Sequence, residues 1–294
     1  MIRPSTKPMI FAAAVAALTA IVLGCQRDAL SGPNDVQDAA ISRDAAPLCD
    51  GLHCSGCDPG RVLVPGGTFM MGANDLAAVG KGSTPVHQVT LSTFCLDRTE
   101  VTVGAYRDCV TAGACTPPDG ADNSPACNAP LANHEHHPIN CVDWMQASSY
   151  CKWAGGRLPT EAQWEYAARY SDERDYPWGN GGPVNQLCWD RGGPPFLGTC
   201  PVGSYPNGDT SLGIADMAGN VWEWVADWAD VYPDGAVTDP TGPLQSPSHE
   251  YVDRGGSWDN KTGAGVRSAH RDGSSPSRRL YTLGFRCAGI TKLH

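Results

Sequence analysis

Residues 157–169 read RLPTEAQWEYAAR, and this stretch decides most of the fold. Thr160 stands three residues ahead of Gln163, the spacing of a capping box, and Pro159 precedes it. The pattern predicts a helix that starts at TEAQ. Leu158, Trp164, Tyr166 and Ala167 supply side chains that can pack. Arg157, Glu161 and Glu165 are predicted to form buried or capping ion pairs. The segment reads as structural, with no catalytic role.

Working outward, residues 142–154 place Trp144, Ala147, Cys151 and Ala154 on one face at helical spacing. Another helix is predicted over 103–112, with Thr99 as N-cap and Thr102 as the competing choice. RVLVPGGTFMMG (61–72) reads as two short strands joined by Pro65, Gly66 and Gly67. HQVTLSTFCLD (87–97) reads as one further strand. The last 110 residues read as loops and short strands. With 34 Gly and 24 Pro, few regular elements and many turns, the chain fits an α+β domain. The globular part is placed at 61–294 and taken as one domain.

The N-terminus reads as a targeting segment, 1–25. Arg3 and Lys7 form a charged start, and 10–23 is an apolar run of 14 residues, short for a membrane span of about 20. It ends in VLGC (22–25), which resembles a bacterial lipobox. Cys25 would then be the lipidated first residue of an exported protein, and Gln26 after it suggests the outer membrane. An ordinary secretory signal with a chance cysteine is the competing reading. Residues 26–60 lack an apolar period and read as a disordered tether. Without the leader the chain carries 19 bases against 31 acids, a net charge of −12. So acidic a chain, with no basic stripe, excludes nucleic acid as a partner and argues against anionic lipid. Membrane contact is expected through the lipid anchor only. Twelve of the 13 cysteines follow Cys25. An even number in an exported chain points to disulfides. Cys54 and Cys57 with His53 could bind zinc, but the lone pair reads as disulfide-linked.

Eight motifs occur in a fixed order: GGTFMMG (66–72), DRTEVTVGAY (97–106), HPINCVDW (137–144), YCKWAGGRLPTEAQWEYAAR (150–169), YPWGN (176–180), DMAGNVWEW (216–224), RGGSW (254–258) and LGFRCA (283–288). This run resembles the sulfatase-modifying-factor family of formylglycine-generating enzymes, from about Arg61 to the C-terminus. The resemblance implies an elaborated C-type-lectin-like fold. It implies a disulfide between Cys151 and Cys287. A second family disulfide lacks both partners, its positions reading Ala168 and about Ser268. The family binds calcium at DMAGNVWEW, which carries over to the side chains of Asp216 and Glu223 and the carbonyls of Gly219 and Val221. That donor set suits a structural calcium ion, which takes six to eight oxygens; an acidic turn held by hydrogen bonds is the alternative. A second family calcium site matches Asn185, with Asp190 as its acidic partner.

RGGSW is the active-site segment by resemblance. In the oxidases two cysteines follow it within about a dozen residues and hold copper(I), which soft thiolates select. Here 255–272 reads GGSWDNKTGAGVRSAHRD. The first cysteine position aligns with Asn260 and the second falls within 263–265. Neither Asn nor Gly replaces a thiolate, so copper is not expected and no catalytic residue is assigned. Ser257, Trp258, Asp259, Asn260, Arg267, His270 and Arg271 are expected to line the equivalent cleft. Such a surface could bind a peptide, glycan or protein partner.

Cys109 and Cys115 are close enough to pair, and Cys188 and Cys200 could close a loop. Cys95, Cys127 and Cys141 stay unassigned. His134, His136 and His137 with Glu135 could hold zinc or iron, but adjacent loop residues seldom face one ion, so a solvated loop is the expectation. The reading is a lipid-anchored, calcium-stabilised, non-oxidase binding module of the cell envelope. A formylglycine-generating oxidase is the alternative, and would need a relocated copper site. A non-haem iron enzyme is a second alternative; in such relatives the iron ligands come from a separate helical domain ahead of this one. The chain has no phosphate-loop motif and no nucleophile elbow.

Overall fold

The computed structural model describes residues 55–74, 82–118, 125–190, 198–289 and 291–293. Cys25, Cys54 and most of the predicted tether lie outside them.

The predicted capping box forms. Thr160 Oγ1 accepts the Gln163 N–H at 3.2 Å and Gln163 Oε1 accepts the Thr160 N–H at 3.1 Å, starting α3 (Glu161–Arg169). Every residue of α3 is buried. Trp164, Tyr166 and Ala167 pack with Phe69, Val89, Leu96, Ile214, Met217 and Val252 in the main core. Burying an apolar side chain of this size stabilises by roughly 2 kcal/mol. A helix buried on all sides also carries Glu161, Glu165 and Arg169 inward, and these need charged partners.

Of the other helices, the first starts at the expected residue and the second two residues later. α1 (Val103–Thr111) is capped by Thr102, whose Oγ1 accepts the Ala105 N–H at 3.2 Å. Thr99 instead donates its hydroxyl to the Glu100 carbonyl. α2 (Trp144–Trp153) begins at Asp143, which forms a capping box with Gln146. Its Ala147 and Cys151 are fully buried, as the periodicity predicted, and Tyr150 joins them.

The strand read over 87–97 is two strands. β4 (His87–Leu91) pairs with β3 (Gly67–Met71), and β5 (Phe94–Asp97) pairs with β2 (Arg61–Val64) in another sheet. The polar pair between them turns the chain. The Ser92 N–H and hydroxyl both bond to the Asp239 carboxylate, and Thr93 Oγ1 accepts the Gly66 N–H. β2 and β3 are the predicted short strands, but they serve different sheets. The largest sheet among the described residues has the order β10 (Leu283–Phe285), β6 (Trp222–Trp228), β8 (Tyr251–Arg254), β9 (Arg271–Ser274). β7 (Val237–Thr238) extends the β3–β4 pair, and β11 (Ala288–Gly289) extends β5 and β2.

The folded region starts before Arg61, correcting the tether boundary at residue 60. β1 (Ser55–Gly56) pairs antiparallel with β12 (Lys292–Leu293), and Cys57 is bonded to Cys95. Cys109–Cys115, Cys151–Cys287 and Cys188–Cys200 pair as expected. Cys127–Cys141 completes the bridges among the described residues.

Candidate functional site

The RGGSW segment leaves the buried end of β8 and turns sharply at Gly255 and Gly256, both at positive φ. A Cβ on Gly256 would sit 2.5 Å from the Gly265 carbonyl oxygen, so the loop closes on itself here. Asn260 seals the closure. Its Oδ1 accepts the Ser257 N–H at 2.8 Å and lies 3.3 Å from the Ser257 hydroxyl. A Cβ on Gly265 would overlap the Asn260 amide nitrogen. The two residues therefore face each other, and Gly265 lies within 263–265, where the resemblance implies the second cysteine position.

The loop is stapled to its neighbours through Asn220. The Trp258 N–H donates to the Asn220 carbonyl at 2.8 Å, and Asn220 Oδ1 accepts the Cys200 N–H at 3.0 Å. Trp258 is fully buried against the Cys188–Cys200 bridge and Tyr281.

This geometry corrects the expected cleft. Ser257, Trp258 and Arg271 are buried, so Trp258 presents no face for stacking. Arg271 is an internal cation. It pairs with Glu161, donates to the Gly82 and Asp230 carbonyls at 2.8 and 2.7 Å, and lies over the Tyr232 ring. Asp259, Asn260, Arg267 and His270 keep partial exposure. Arg267 is paired with Asp175, and His270 packs on Trp222 with ring centroids 5.5 Å apart.

Arg271 belongs to a larger network on α3. Arg254, fully buried, reaches Glu161 at 3.1 Å and also Glu165, and stacks over Trp164. Arg169 binds Glu165 at 2.8 Å, and the Gly72 N–H donates to the same carboxylate. Burial alone would raise the Glu165 pKa, but Arg254 and Arg169 hold it below the usual carboxylate range. Glu161 and Glu165 are thus ion-paired as predicted. Arg157 is not: its Nη1 donates to the Leu158 carbonyl.

The expected calcium ligands are split. Glu223 is occupied: Arg286 donates to its oxygens at 2.6 and 2.7 Å, and the Trp164 indole N–H at 2.8 Å. Glu223, expected as a calcium ligand, thus already has both oxygens on donors of the protein. Asp216 accepts the Gly203 N–H at 2.6 Å. Beside it stands Glu100, which no periodicity singled out. Glu100 is 1 % exposed and no N–H or O–H group donates to its oxygens, while its own protonated carboxyl bonds to Asp216. Burial, and then the Asp216 carboxylate, push its pKa well up. Two adjacent carboxyls can share one proton, and supply two of the six to eight oxygens that a calcium ion takes. No third His, Cys, Asp or Glu completes such a group among the described residues. Asn185 is exposed, with its N–H on Gln186 Oε1, and Asp190 uses its backbone N–H to hold the Asn260 carbonyl. His134 and His137 have ring centroids 4.2 Å apart, with their Nδ1 atoms on the Ala132 carbonyl and the Thr199 hydroxyl.

Fold and loop together define a sulfatase-modifying-factor domain with an α+β, C-type-lectin-like architecture. A family model for the "Sulfatase-modifying factor enzyme 1-like domain" matches residues 54–290, and the chain belongs to that family. It is similar to the formylglycine-generating enzyme of Streptomyces coelicolor, 35% identical over 80% of this chain and 90% of that protein. It is also similar to the inactive C-alpha-formylglycine-generating enzyme 2 of Mus musculus, 30% identical over 79% of this chain and 86% of that one. Among solved structures, PvdO from Pseudomonas aeruginosa superposes with a TM-score of 0.65 at 28% identity, covering 78% of this chain and 94% of that chain.

Proposed function

We propose that this chain is an exported, lipid-anchored binding module of the family that does not carry out copper-dependent oxidation. The contact between Asn260 and Gly265 carries the reading. The two facing positions hold an amide and a glycine, neither of which binds copper(I). The ten described cysteines are all in disulfides, which suits an oxidising compartment. The likeness to a relative named as inactive also supports it. A peptide, glycan or protein partner would meet the exposed edge of the loop at Asp259, Asn260, Arg267 and His270. Cys25 would be the anchor, and Cys25→Ser is expected to release the chain from the membrane fraction.

The alternative is an oxidase with relocated copper. The sulfurs packed beside the loop are Cys188 and Cys200, joined to each other. The test incubates the folded chain with copper(I), oxygen and a cysteine-bearing peptide, and seeks conversion of the cysteine to an aldehyde by mass spectrometry. No conversion is expected. Conversion that is lost in Cys188→Ala would establish the alternative.

We also propose a structural calcium ion at Asp216 and Glu100, with the Gly219 and Val221 carbonyls as further donors. The Glu100 carboxyl, buried beside Asp216, supports it. Isothermal titration is expected to show calcium binding that is lost in Glu100→Gln; absence of binding would leave the acidic turn held by hydrogen bonds.

A further inference from the structure

A recess of about 280 Å³ lies on a different part of the surface from the RGGSW loop. Its walls are the β4–β5 turn, the start of α3, the segment after β7 and the chain beyond β11. Arg157 reaches it, and so do Thr93, Thr160, Thr241 and Asp239.

Arg157 is the unusual member. It has no carboxylate within ion-pair distance among the described residues, in contrast to the arginines on α3. One guanidinium nitrogen donates to the Leu158 carbonyl, which leaves the other N–H groups available. Burial lowers its pKa below the ordinary arginine value, against the distant pull of Asp227. The Arg157 side chain is exposed, so it can be approached from solvent, and the Asp227 carboxylate acts on its charge from beyond ion-pair distance.

The walls add hydroxyl donors. Thr93 Oγ1 accepts the Gly66 N–H, and Thr160 Oγ1 accepts the Gln163 N–H, so each keeps its own proton to donate. Thr241 is exposed and makes no hydrogen bond among the described residues. The one carboxylate on the wall, Asp239, is committed to the Ser92 N–H and hydroxyl at 2.8 and 2.7 Å. A planar fork of N–H donors matches a carboxylate in two-point contact. Hydroxyls around it match a ligand that itself carries hydroxyls.

We propose that this recess binds a small hydroxylated carboxylate of the sugar-acid class, with its carboxylate on Arg157 and its hydroxyls among Thr93, Thr160 and Thr241. The volume admits a single sugar-sized unit and not a long chain. The site shares no residue with the Asn260 edge, so failure of one assignment leaves the other standing.

The test is ligand-observed NMR on the full chain with D-glucuronate, D-glucose and acetate as probes. Glucuronate is expected to bind at least about tenfold more tightly than glucose, since a charged hydrogen-bonded pair is worth one to a few kcal/mol. Arg157→Gln should remove that preference, Arg157→Lys should retain part of it, and Thr241→Val should weaken glucuronate while leaving acetate unchanged. An unchanged melting temperature in Arg157→Gln shows that the fold survives; should it fail to fold, Thr241→Val carries the test. Equal binding of glucose, or no glucuronate binding at millimolar concentration, overturns the proposal. Acetate binding as tightly as glucuronate overturns the part assigned to the hydroxyls.

Discussion

Glu165 and Glu100 are both buried carboxyls, 0 % and 1 % exposed, and their environments push them in opposite directions. Glu165 receives Arg254, Arg169 and the Gly72 N–H, and its pKa falls despite burial. Glu100 receives no hydrogen bond and faces Asp216, and its pKa rises well above the usual value. Burial is common to both; the donors decide. The first arrangement locks a helix into the core. The second holds a proton between two carboxyls, where a cation would have to displace it.

The sharpest way to break this comparison is to remove the donors from Glu165. Arg254→Met should cost about 3–5 kcal/mol in urea unfolding, because it removes the cation shared by Glu161 and Glu165 and leaves each buried carboxylate with one arginine, Arg271 and Arg169. A cost below about 1 kcal/mol would mean that the network is not what fixes α3.

The pH dependence comes next. Burial, then Glu161, pushes Asp227 up to about 7, and burial, then Asp272, pushes Asp253 up to about 7. Both hold a proton more tightly folded than unfolded, where the value is 3.8. Their contribution is therefore most favourable below pH 4 and is lost as pH rises toward 7 and above. Asp253→Asn should remove its share of that slope and raise stability at pH 8 by roughly 1–3 kcal/mol. Denaturant unfolding across pH 5–8 measures it; a slope unchanged in the variant refutes the assignment.

A smaller effect separates the two glutamates directly. Without calcium, Glu100→Gln should stabilise by about 1 kcal/mol, while Glu165→Gln destabilises. Thermal melts of the two variants with and without millimolar calcium sharpen the contrast, since only Glu100→Gln should abolish a calcium-dependent rise. Smallest of all, Arg107→Ala should change stability by no more than about 0.5 kcal/mol, because its pair with Glu135 at 3.6 Å is half-exposed on both sides. A larger change would show that the surface contributes more than the contrast of buried carboxyls allows.

Local chemistry was legible in the sequence and tertiary closure was not. The capping box at Thr160 and Gln163 acts within four residues, so its spacing alone predicted the start of α3. The buried stripe of α2 follows from helical spacing in the same way. The break between β4 and β5 could not be read, because Ser92 is turned by Asp239, 147 residues away. The disulfide Cys151–Cys287 came through the family resemblance, while the contact of Asn260 with Gly265, inside the range 263–265, appeared only in the structure. The cleft failed for one physical reason. Trp258 and Arg271 carry side chains typical of binding surfaces, but each finds its partners inside, in Tyr281 and in Glu161. Glu100 went unnoticed because nothing near it in the chain marks a carboxyl buried beside another.

The pairing of β1 with β12 brings the first and last strands of the domain into register, Ser55 opposite Leu293 and Gly56 opposite Lys292. In engineering terms the domain enters and leaves at one point. It can be inserted into an exposed loop of a host protein with short linkers, or have its ends joined and the chain reopened at another exposed turn. Such a rearranged chain would keep β2 to β11 in their present order of contact.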